Sequence, residues 1–259
     1  MADVLPSDGS VPENPFVDDS CDPPVRGFLH RLSPATRPHA FINLGESSIL
    51  VLTHGAGSDA RAPLLVALAR AFALNGCTVL RCDLPFRQQR KHGPPFGTAT
   101  TDRQGLRNAV AAVKRLGTAG QGAIFLGGHS YGGRQASILA ASEPDLVGGL
   151  LLLSYPLHPP DRPSQSRTAH FPELRVPALF VHGSRDPFGS LEEVEAALKL
   201  ISAPTSLLPV EGAGHDLAFR RRGNQPDGLP SQVALAFAAF MAPLASTSSA
   251  GVADPPAGS

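Results

Sequence analysis

The most constraining feature of this chain is a regular alternation, beginning at residue 48, between short β-rich runs and longer segments with helical periodicity. Such alternation is typical of a mostly parallel, doubly wound sheet with helices on both faces. The predicted strands are Ser48–Thr53, Thr78–Cys82, Gly122–Leu126, Gly148–Ser154, Ala178–His182 and Thr205–Pro209. The predicted helices are Arg61–Asn75, Asp102–Leu116, Tyr131–Ser142, Leu191–Ser202 and Ser231–Met241. The pattern therefore predicts one α/β domain.

Outside this region the sequence indicates less order. Residues 1–24 hold five prolines, and six acidic residues precede the first basic residue, Arg26. A segment of this composition buries too little apolar surface to fold, so we expect a disordered acidic leader. The Ala-, Ser-, Gly- and Pro-rich residues 244–259 are expected to form an unstructured tail. The single domain is thus predicted to span residues 25–243, with Phe28–Arg31 and His39–Leu44 as an antiparallel pair at the sheet edge.

The composition argues against several functional classes. The chain opens without the basic and apolar segments of a secretion signal and contains no run of about 18 apolar residues, so we expect a cytoplasmic protein without a membrane span. Cys21, Cys77 and Cys82 lack metal-ligand spacing and are expected to be buried thiols, the last two on opposite faces of one strand. We expect neither a metal nor another cofactor. Since the formal net charge is zero and the chain has no recognised nucleic-acid module, the expected partner is a small molecule, not nucleic acid or a membrane. The sequence leaves the oligomeric state unknown.

Polar residues gather where the predicted strands end. In a parallel sheet the carboxyl ends of the strands meet at one edge, and functional groups collect there. The segments that follow the strands are His54–Gly57, Asp83–Arg87, Gly128–Ser130, Tyr155–His158, Gly183–Asp186 and Gly212–His215. We therefore expect the functional site to lie at this edge of the sheet.

One of these segments, Gly128-His-Ser130-Tyr-Gly132, joins an apolar run to a helix-like stretch. Strand, sharp turn and helix form the context of a nucleophile elbow, in which residues two positions before and after the serine must be small to avoid a collision. The turn holds the serine in a strained backbone with its hydroxyl exposed. Ser130 is therefore predicted to be a nucleophile.

The residues that follow Ser130 give the chain a resemblance to the α/β-hydrolase superfamily, over roughly Ser48 to Met241. Ser130, Asp186 and His215 occur in the family's order of nucleophile, acid and base. The resemblance implies that His215 takes the proton of Ser130 and that Asp186 orients the imidazole and stabilises its cation. It also implies an oxyanion hole formed by the backbone N–H groups of Tyr131 and Ala56.

Three longer motifs resemble a narrower, dienelactone-hydrolase-like group within this superfamily. They are Gly127–Arg134, Leu151–Pro159 and Ala178–Gly189. This group includes the hydrolase-like domain of a chromatin non-specific-lethal complex subunit and a testis-expressed protein. The nucleophile of dienelactone hydrolase itself is a cysteine, whereas position 130 here is serine. Dienelactone is therefore not the expected substrate.

The predicted pocket is open. About twenty residues separate the predicted strands Gly148–Ser154 and Ala178–His182, which is too few for the large helical cap of some relatives. The predicted substrate-binding residues are Phe86, Arg87, Tyr155, His158 and His170. Arg90, Lys91 and Arg220–Arg222 would make this edge basic, which indicates either an anionic substrate or partner, or an ordinary solvated rim.

The expected function is hydrolysis of an ester, thioester or small amide through an acyl-enzyme, with a carboxylesterase as its simplest form. One alternative is a non-catalytic scaffold of the same fold, although scaffolds usually lose triad residues. The other is a dinucleotide-binding oxidoreductase, because Gly55–Ala60 follows one strand and Asp83 ends the next. That alternative leaves Ser130, Asp186 and His215 without a role.

Overall fold

The chain forms one sheet of eight strands in the order β1-β2-β4-β3-β5-β6-β7-β8, seen here in a computed structural model. The structure describes residues 11–32, 44, 48–116, 122–218 and 228–248, with side chains up to residue 244 in the last helix. The strands are β1 (Glu13–Asp18), β2 (Val25–His30), β3 (Ile49–Thr53), β4 (Thr78–Cys82), β5 (Ile124–His129), β6 (Gly149–Leu153), β7 (Ala178–Gly183) and β8 (Thr205–Val210). The helices are α1 (Pro63–Leu74), α2 (Pro85–Gln89), α3 (Ala99–Arg115), α4 (Tyr131–Ser142), α5 (Leu191–Leu198) and α6 (Leu229–Ser248).

Strand register brings the site loops together. The pairings from β4 through β3, β5, β6 and β7 to β8 are all parallel, whereas β1 and β2 are antiparallel at one edge. Thr53 at the end of β3 pairs with Gly128, and His129 at the end of β5 pairs with Leu153. The chain therefore leaves three neighbouring strands at the same height, and the loops after them are adjacent.

Helices cover both faces of the sheet, as the alternation predicts. On one face α1 packs against α6, where the Phe72 and Phe237 rings lie 5.8 Å apart and Phe237 contacts Phe125 of the sheet at 5.1 Å. Buried residues of α3, α4 and α5 form the core on the other face. Cys77 packs in the first core and Cys82 in the second, so the two thiols do lie on opposite faces. Continuous apolar strands such as β6 follow from burial on both sides.

Strand β1 corrects the prediction that residues 1–24 are disordered. Arg81 of β4 is fully buried, and its guanidinium donates to Glu13 Oε2 at 2.5 Å and to His30 Nε2 at 2.9 Å. A buried cation needs a partner, and β1 supplies the carboxylate. The acidic composition that favoured solvation therefore also serves to hold an edge strand. Residues 1–10 lie outside the described residues.

Two further boundaries differ from the sequence prediction. Strand β2 lies between β1 and β4, so its edges are occupied and the predicted pairing of Phe28–Arg31 with His39–Leu44 is wrong; residues 39–43 lie outside the described residues. Helix α6 continues to Ser248, so the predicted tail does not begin at residue 244; residues 249–259 are not described.

The active edge of the sheet carries no cap domain. Between β6 and β7, all of which the structure describes, the chain forms a single short 3₁₀ turn at Phe171–Glu173. None of the described helices is long and apolar enough to cross a membrane.

Candidate active site

The turn between β5 and α4 presents Ser130 at the carboxyl edge of the sheet. Its backbone has φ 50° and ψ −115°, which L-residues rarely adopt. Neighbouring glycines let the chain come close enough to hold this turn. A Cβ at Gly132 would lie 2.4 Å from the carbonyl oxygen of His54, and one at Gly128 would lie 2.7 Å from the nitrogen of Gly133. Tight packing thus maintains the strained conformation that sets the Ser130 hydroxyl at the head of α4.

His215 and Asp186 form a continuous series of hydrogen bonds with Ser130. Ser130 Oγ lies 2.7 Å from His215 Nε2, and His215 Nδ1 lies 2.8 Å and 3.0 Å from the two carboxylate oxygens of Asp186. With the proton on Nδ1 donated to the carboxylate, Nε2 is free to accept the Ser130 proton. The structure therefore brings together the three residues that the sequence selected, in the donor and acceptor order that nucleophilic serine chemistry needs.

The carboxylate of Asp186 is shielded and already positioned. Its side chain is 0% exposed, and Oδ1 also accepts the backbone N–H of Phe188 at 2.9 Å. His182 lies 3.7 Å away, but its Nε2 donates to the carbonyl of Gly189 at 2.9 Å. Because burial lowers the pKa of His182, this second imidazole is neutral near pH 7 and leaves the carboxylate to His215.

Two rings hold His215 in place. The Phe188 ring stacks on it at 4.1 Å between centroids with an interplanar angle of 31°. His129 Nε2 donates to the backbone carbonyl of His215 at 2.7 Å, and burial lowers the pKa of His129, so this ring is neutral. His129 thereby acts on the loop of His215, not as a base. Sequence reasoning missed Phe188, although it stands two positions after Asp186.

The turn at residues 55–58 lines the same cavity as Ser130, and Arg87 anchors it. Arg87 Nε donates to the carbonyl of Ser58 at 2.8 Å, and Nη2 donates to the carbonyl of Ala56 at 2.7 Å. The same guanidinium donates to the carbonyls of Arg90 at 3.2 Å and Gly93 at 3.1 Å, and the residue is 5% exposed. Four backbone carbonyl bonds therefore fix Arg87, and through it the turn that contains Ala56.

The two residues predicted to form the oxyanion hole are both close to the nucleophile. Ala56 lines the same cavity as Ser130, and Tyr131 begins α4 directly after it. His54 supports the turn from below, because Nδ1 donates to the Gly55 carbonyl at 2.8 Å and Nε2 accepts the N–H of Leu84 at 3.1 Å. Burial lowers the pKa of His54 to about 4, so it remains neutral in this role.

The phenol of Tyr131 is committed to a neighbouring carboxylate. Its hydroxyl donates to Asp102 Oδ2 at 2.7 Å, while Asp102 Oδ1 accepts the N–H of Phe86 at 3.2 Å. Burial raises the pKa of Tyr131 and that of Asp102. These bonds leave the backbone N–H of Tyr131 as the part of this residue that can serve the reaction.

The residues predicted to bind substrate do not line the cavity at Ser130. Phe86 and Tyr155 are 2% and 1% exposed and pack in the core. The Tyr155 hydroxyl donates to the backbone carbonyl of Arg167 at 2.8 Å. Arg87 supports the turn at residues 55–58, as described above. Their positions after strand ends are as predicted, but their side chains turn inward.

The two histidines of this set also bind within the fold. His158 is 8% exposed, and its Nδ1 donates to the carbonyl of Pro159 at 2.7 Å. His170 Nε2 and Ser137 Oγ lie 2.8 Å apart, and burial lowers the pKa of His170 to about 4. The sequence could not distinguish these histidines from ones that face substrate, because both kinds occur in loops after strands.

The cavity at Ser130 has a volume of about 380 Å³. Its walls come from the turn after β3, the elbow and the loops of the acid and the base. The lining residues are Gly55, Ala56, Gly57, Ser58, His129, Ser130, Phe188 and His215.

The described residues also bear on a metal site and on the dinucleotide fingerprint that the sequence raised. They contain no group of three or more His, Cys, Asp or Glu side chains placed to hold a metal ion. Asp83, which a dinucleotide fingerprint would assign to a ribose, accepts the N–H of Ala60 at 2.7 Å instead. The Asp83 carboxylate is thus bonded within the fold, to the end of the segment Gly55–Ala60.

The chain resembles known proteins in both sequence and fold. Residues 46–242 match a family model described as an alpha/beta hydrolase domain. The chain is similar to dienelactone hydrolase from Anabaena variabilis, with 20% identity, a TM-score of 0.65, and coverage of 90% of this chain and 97% of that one. It is similar to Est1E from Butyrivibrio proteoclasticus, with 18% identity, a TM-score of 0.66, and coverage of 90% and 99%. A serine hydrolase without a lid from Xanthomonas campestris matches at 16% identity and a TM-score of 0.56, with coverage of 79% and 86%.

Proposed function

Because the chain belongs to the alpha/beta hydrolase domain family, we propose that it is a serine hydrolase that cleaves an ester, thioester or small amide through an acyl-enzyme. The observation that carries the proposal is the bonded series from Ser130 Oγ through His215 to Asp186, with distances of 2.7 Å and 2.8 Å. A nucleophile in contact with a base that is itself oriented by a carboxylate is the arrangement expected of an activated serine. An ester of a carboxylic acid is the simplest substrate of this kind.

In the proposed acylation step, Ser130 Oγ attacks the substrate carbonyl carbon while His215 Nε2 accepts the hydroxyl proton. Asp186 stabilises the imidazolium that forms. The backbone N–H groups of Ala56 and Tyr131 would hold the oxyanion of the tetrahedral intermediate, and one such donor contributes about 3–4 kcal/mol to transition-state stabilisation. The bond to the leaving group then breaks, and His215 returns the proton to that group.

Deacylation repeats the sequence with water as the nucleophile. His215 Nε2 accepts a proton from water, the hydroxide adds to the acyl carbon, and the bond to Ser130 Oγ breaks as that oxygen recovers the proton. The side chain of His215 is 22% exposed, which gives water a route to Nε2. The missing cap domain between β6 and β7 also leaves the cavity open to solvent.

We further propose that the chain belongs to the dienelactone-hydrolase-like group. The motifs Gly127–Arg134 and Ala178–Gly189 support this assignment, since they contain the nucleophile and the acid. A serine at position 130 gives a more basic, harder nucleophile than the cysteine of dienelactone hydrolase, and it needs the His215 base throughout the reaction. Ordinary esters suit such a nucleophile.

Labelling with a fluorophosphonate probe tests the proposal, because the probe bonds covalently to activated serines. Wild-type protein should be labelled, and peptide mapping should place the label on Ser130. The Ser130→Ala variant should lose both the label and hydrolysis of p-nitrophenyl acetate, with kcat reduced by about 10⁴-fold or more. Ser142→Ala, at the other end of α4, is the matched control and should behave as wild type.

The non-catalytic scaffold remains the alternative, and the same experiment separates the two. Folded wild-type protein that takes no label and hydrolyses none of an ester, thioester and amide set would support the scaffold. Undiminished hydrolysis by Ser130→Ala would show that the reaction uses another group. Circular dichroism and thermal unfolding of each variant establish that loss of activity is not loss of fold.

A further inference from the structure

A second and larger cavity adjoins the one at Ser130. It has a volume of about 560 Å³ and lies between the start of α1, the residues after His215 and the start of α6. Ser58 and His129 line both cavities. The two spaces are therefore neighbours that share these two residues as walls.

The chemistry of the larger cavity is apolar. Helix α1 contributes alanine, proline and leucine side chains, and Leu217 and Leu229 close the opposite wall. The polar residues in its lining are committed elsewhere. His129 is kept neutral by burial and donates to the His215 carbonyl at 2.7 Å, while Asp216 accepts the N–H of Ala218 at 3.0 Å. Among the residues that the structure describes, this lining holds no basic side chain, so an anionic group would meet no opposite charge there.

We propose that this cavity, called here the α1 groove, receives the acyl chain of the substrate, and that the substrate is an ester of an uncharged aliphatic acid of medium length. The inference rests on the proposed function, because it takes the acyl carbon to be bonded to Ser130. The acyl group stays on the protein after the alcohol has left. A groove that retains a chain therefore suits the acyl half, whereas the alcohol half has to diffuse away.

Volume sets the chain length. A water molecule occupies roughly 30 Å³ of liquid, and a methylene group is of similar size, so a chain of about eight carbons needs on the order of 240 Å³. The α1 groove provides about 560 Å³, which accommodates such a chain with space at the open side. Each methylene removed from water is worth about 0.8 kcal/mol, or about fourfold in kcat/KM. The specificity constant should therefore rise about fourfold per methylene until the chain outgrows the groove.

Two series of esters test the assignment. In the first, p-nitrophenyl esters from acetate to decanoate vary the acyl chain; in the second, alkyl acetates vary the alcohol chain. We expect kcat/KM to rise steeply along the first series to about eight carbons, and to change little along the second. A flat profile in the acyl series, or a steep one confined to the alkyl series, would overturn the proposal.

Filling the groove supplies the matched comparison. Ala67 lies on α1 in the wall of the groove, and Ala67→Phe should abolish the gain for chains beyond about four carbons while leaving acetate hydrolysis within about twofold of wild type. Ala218→Phe, at an exposed wall position, is the second variant should the first lower stability. Ala239→Phe, exposed on α6 outside the groove, should keep the wild-type profile.

The outcomes separate this proposal from the proposed function. If folded wild-type protein neither hydrolysed p-nitrophenyl acetate nor took the label, both the serine-hydrolase proposal and the groove proposal would be refuted. Acetate hydrolysis that depends on Ser130, together with an unchanged chain-length profile in Ala67→Phe and Ala218→Phe, would refute the groove and leave the serine hydrolase intact.

Discussion

Replacement of Arg87 is the perturbation that most directly examines how the fold positions the reaction. Its guanidinium spans the carbonyls of Ala56 and Ser58, at 2.7 Å and 2.8 Å, and so fixes both ends of the turn that carries the Ala56 N–H. In Arg87→Met the side chain keeps most of its packing but loses all four carbonyl bonds. In Arg87→Lys an ammonium can retain one or two of them. We therefore expect kcat to fall further in Arg87→Met than in Arg87→Lys.

The expected fall in kcat follows from the role of the turn, which carries the Ala56 N–H of the proposed oxyanion hole. Loss of one oxyanion donor reduces kcat by about 10²- to 10³-fold. Since a loosened turn still presents the Ala56 N–H for part of the time, we expect a reduction of about 10- to 100-fold in Arg87→Met and a smaller one in Arg87→Lys. Hydrogen bonds to a charged group contribute about 1.5–3 kcal/mol each, but water replaces several of these, so unfolding free energy should fall by about 1–3 kcal/mol.

The assay is steady-state hydrolysis of p-nitrophenyl acetate, with kcat and KM measured separately. A positioning role predicts that kcat falls while KM changes little, because the oxyanion forms only in the transition state. Arg90→Met, directly after the same short helix, is the control, since the Arg90 side chain lies over the Phe96 ring at 4.4 Å. Added methylguanidinium should restore part of the activity of Arg87→Ala.

Two results would refute this reasoning. A variant with lowered stability but unchanged kcat would limit Arg87 to a structural role. A large rise in KM for anionic esters with kcat retained would restore the substrate-binding role that the sequence predicted for this residue.

Further predictions concern the acid, the elbow, the edge strand and pH. Asp186→Asn should lower kcat for p-nitrophenyl acetate by about 10⁴-fold, because the imidazole tautomer is no longer fixed; near-normal turnover would exclude Asp186 as the acid. Gly132→Ala should lose activity or fold, since its Cβ would lie 2.4 Å from the His54 carbonyl, whereas Gly57→Ala, with open space at that position, should remain active. Glu13→Ala should lower the unfolding free energy in urea by about 1–3 kcal/mol by unpairing buried Arg81, whereas Asp19→Ala, which breaks an exposed pair with Arg26, should change it by less than about 1 kcal/mol. His54 is fully buried, and the fold favours its neutral imidazole, so its pKa is about 4 against the usual 6.5. This preference contributes on the order of 3 kcal/mol to the unfolding free energy above pH 6.5, and the contribution is lost as pH falls towards 4. In urea unfolding, the loss of stability between pH 7 and pH 4.5 should therefore be smaller in His54→Gln than in wild type.

The parts of the fold that the sequence predicted well are those whose signal is local. Strand β4 and helix α4 have the predicted limits because β-branched content, helical periodicity and turn residues change sharply there. Strand β1 was missed because its acidic composition favours solvation, while the pair between Glu13 and Arg81 that helps to hold it joins residues far apart in the sequence. Helix α2 begins at the Leu84-Pro85 step and is only five residues long, which is too short to show helical periodicity in the sequence.

The candidate site likewise has parts that the sequence could predict and parts that it could not. Ser130, Asp186 and His215 could be selected because each lies in a loop or turn that follows a strand and their chain order matches a known arrangement. The α1 groove could not, because its walls come from α1, the loop after His215 and α6, which meet only in the folded chain. Ala67 carries no chemical signal in the sequence, yet it forms part of that wall.

The inward orientation of the side chains predicted to bind substrate has a physical cause that applies to the whole edge of the sheet. Loops that leave strands expose backbone carbonyls that need donors, and the nearest polar side chains supply them. Arg87, His129, His158 and His182 each donate to a loop carbonyl at 2.7–2.9 Å. His215 differs, because its two ring nitrogens meet a carboxylate and a serine hydroxyl. At this edge, polar residues near strand ends therefore mostly support the loop backbone. The base is distinguished from them by its two side-chain partners. The sequence indicates that partnership only through the chain order of Ser130, Asp186 and His215.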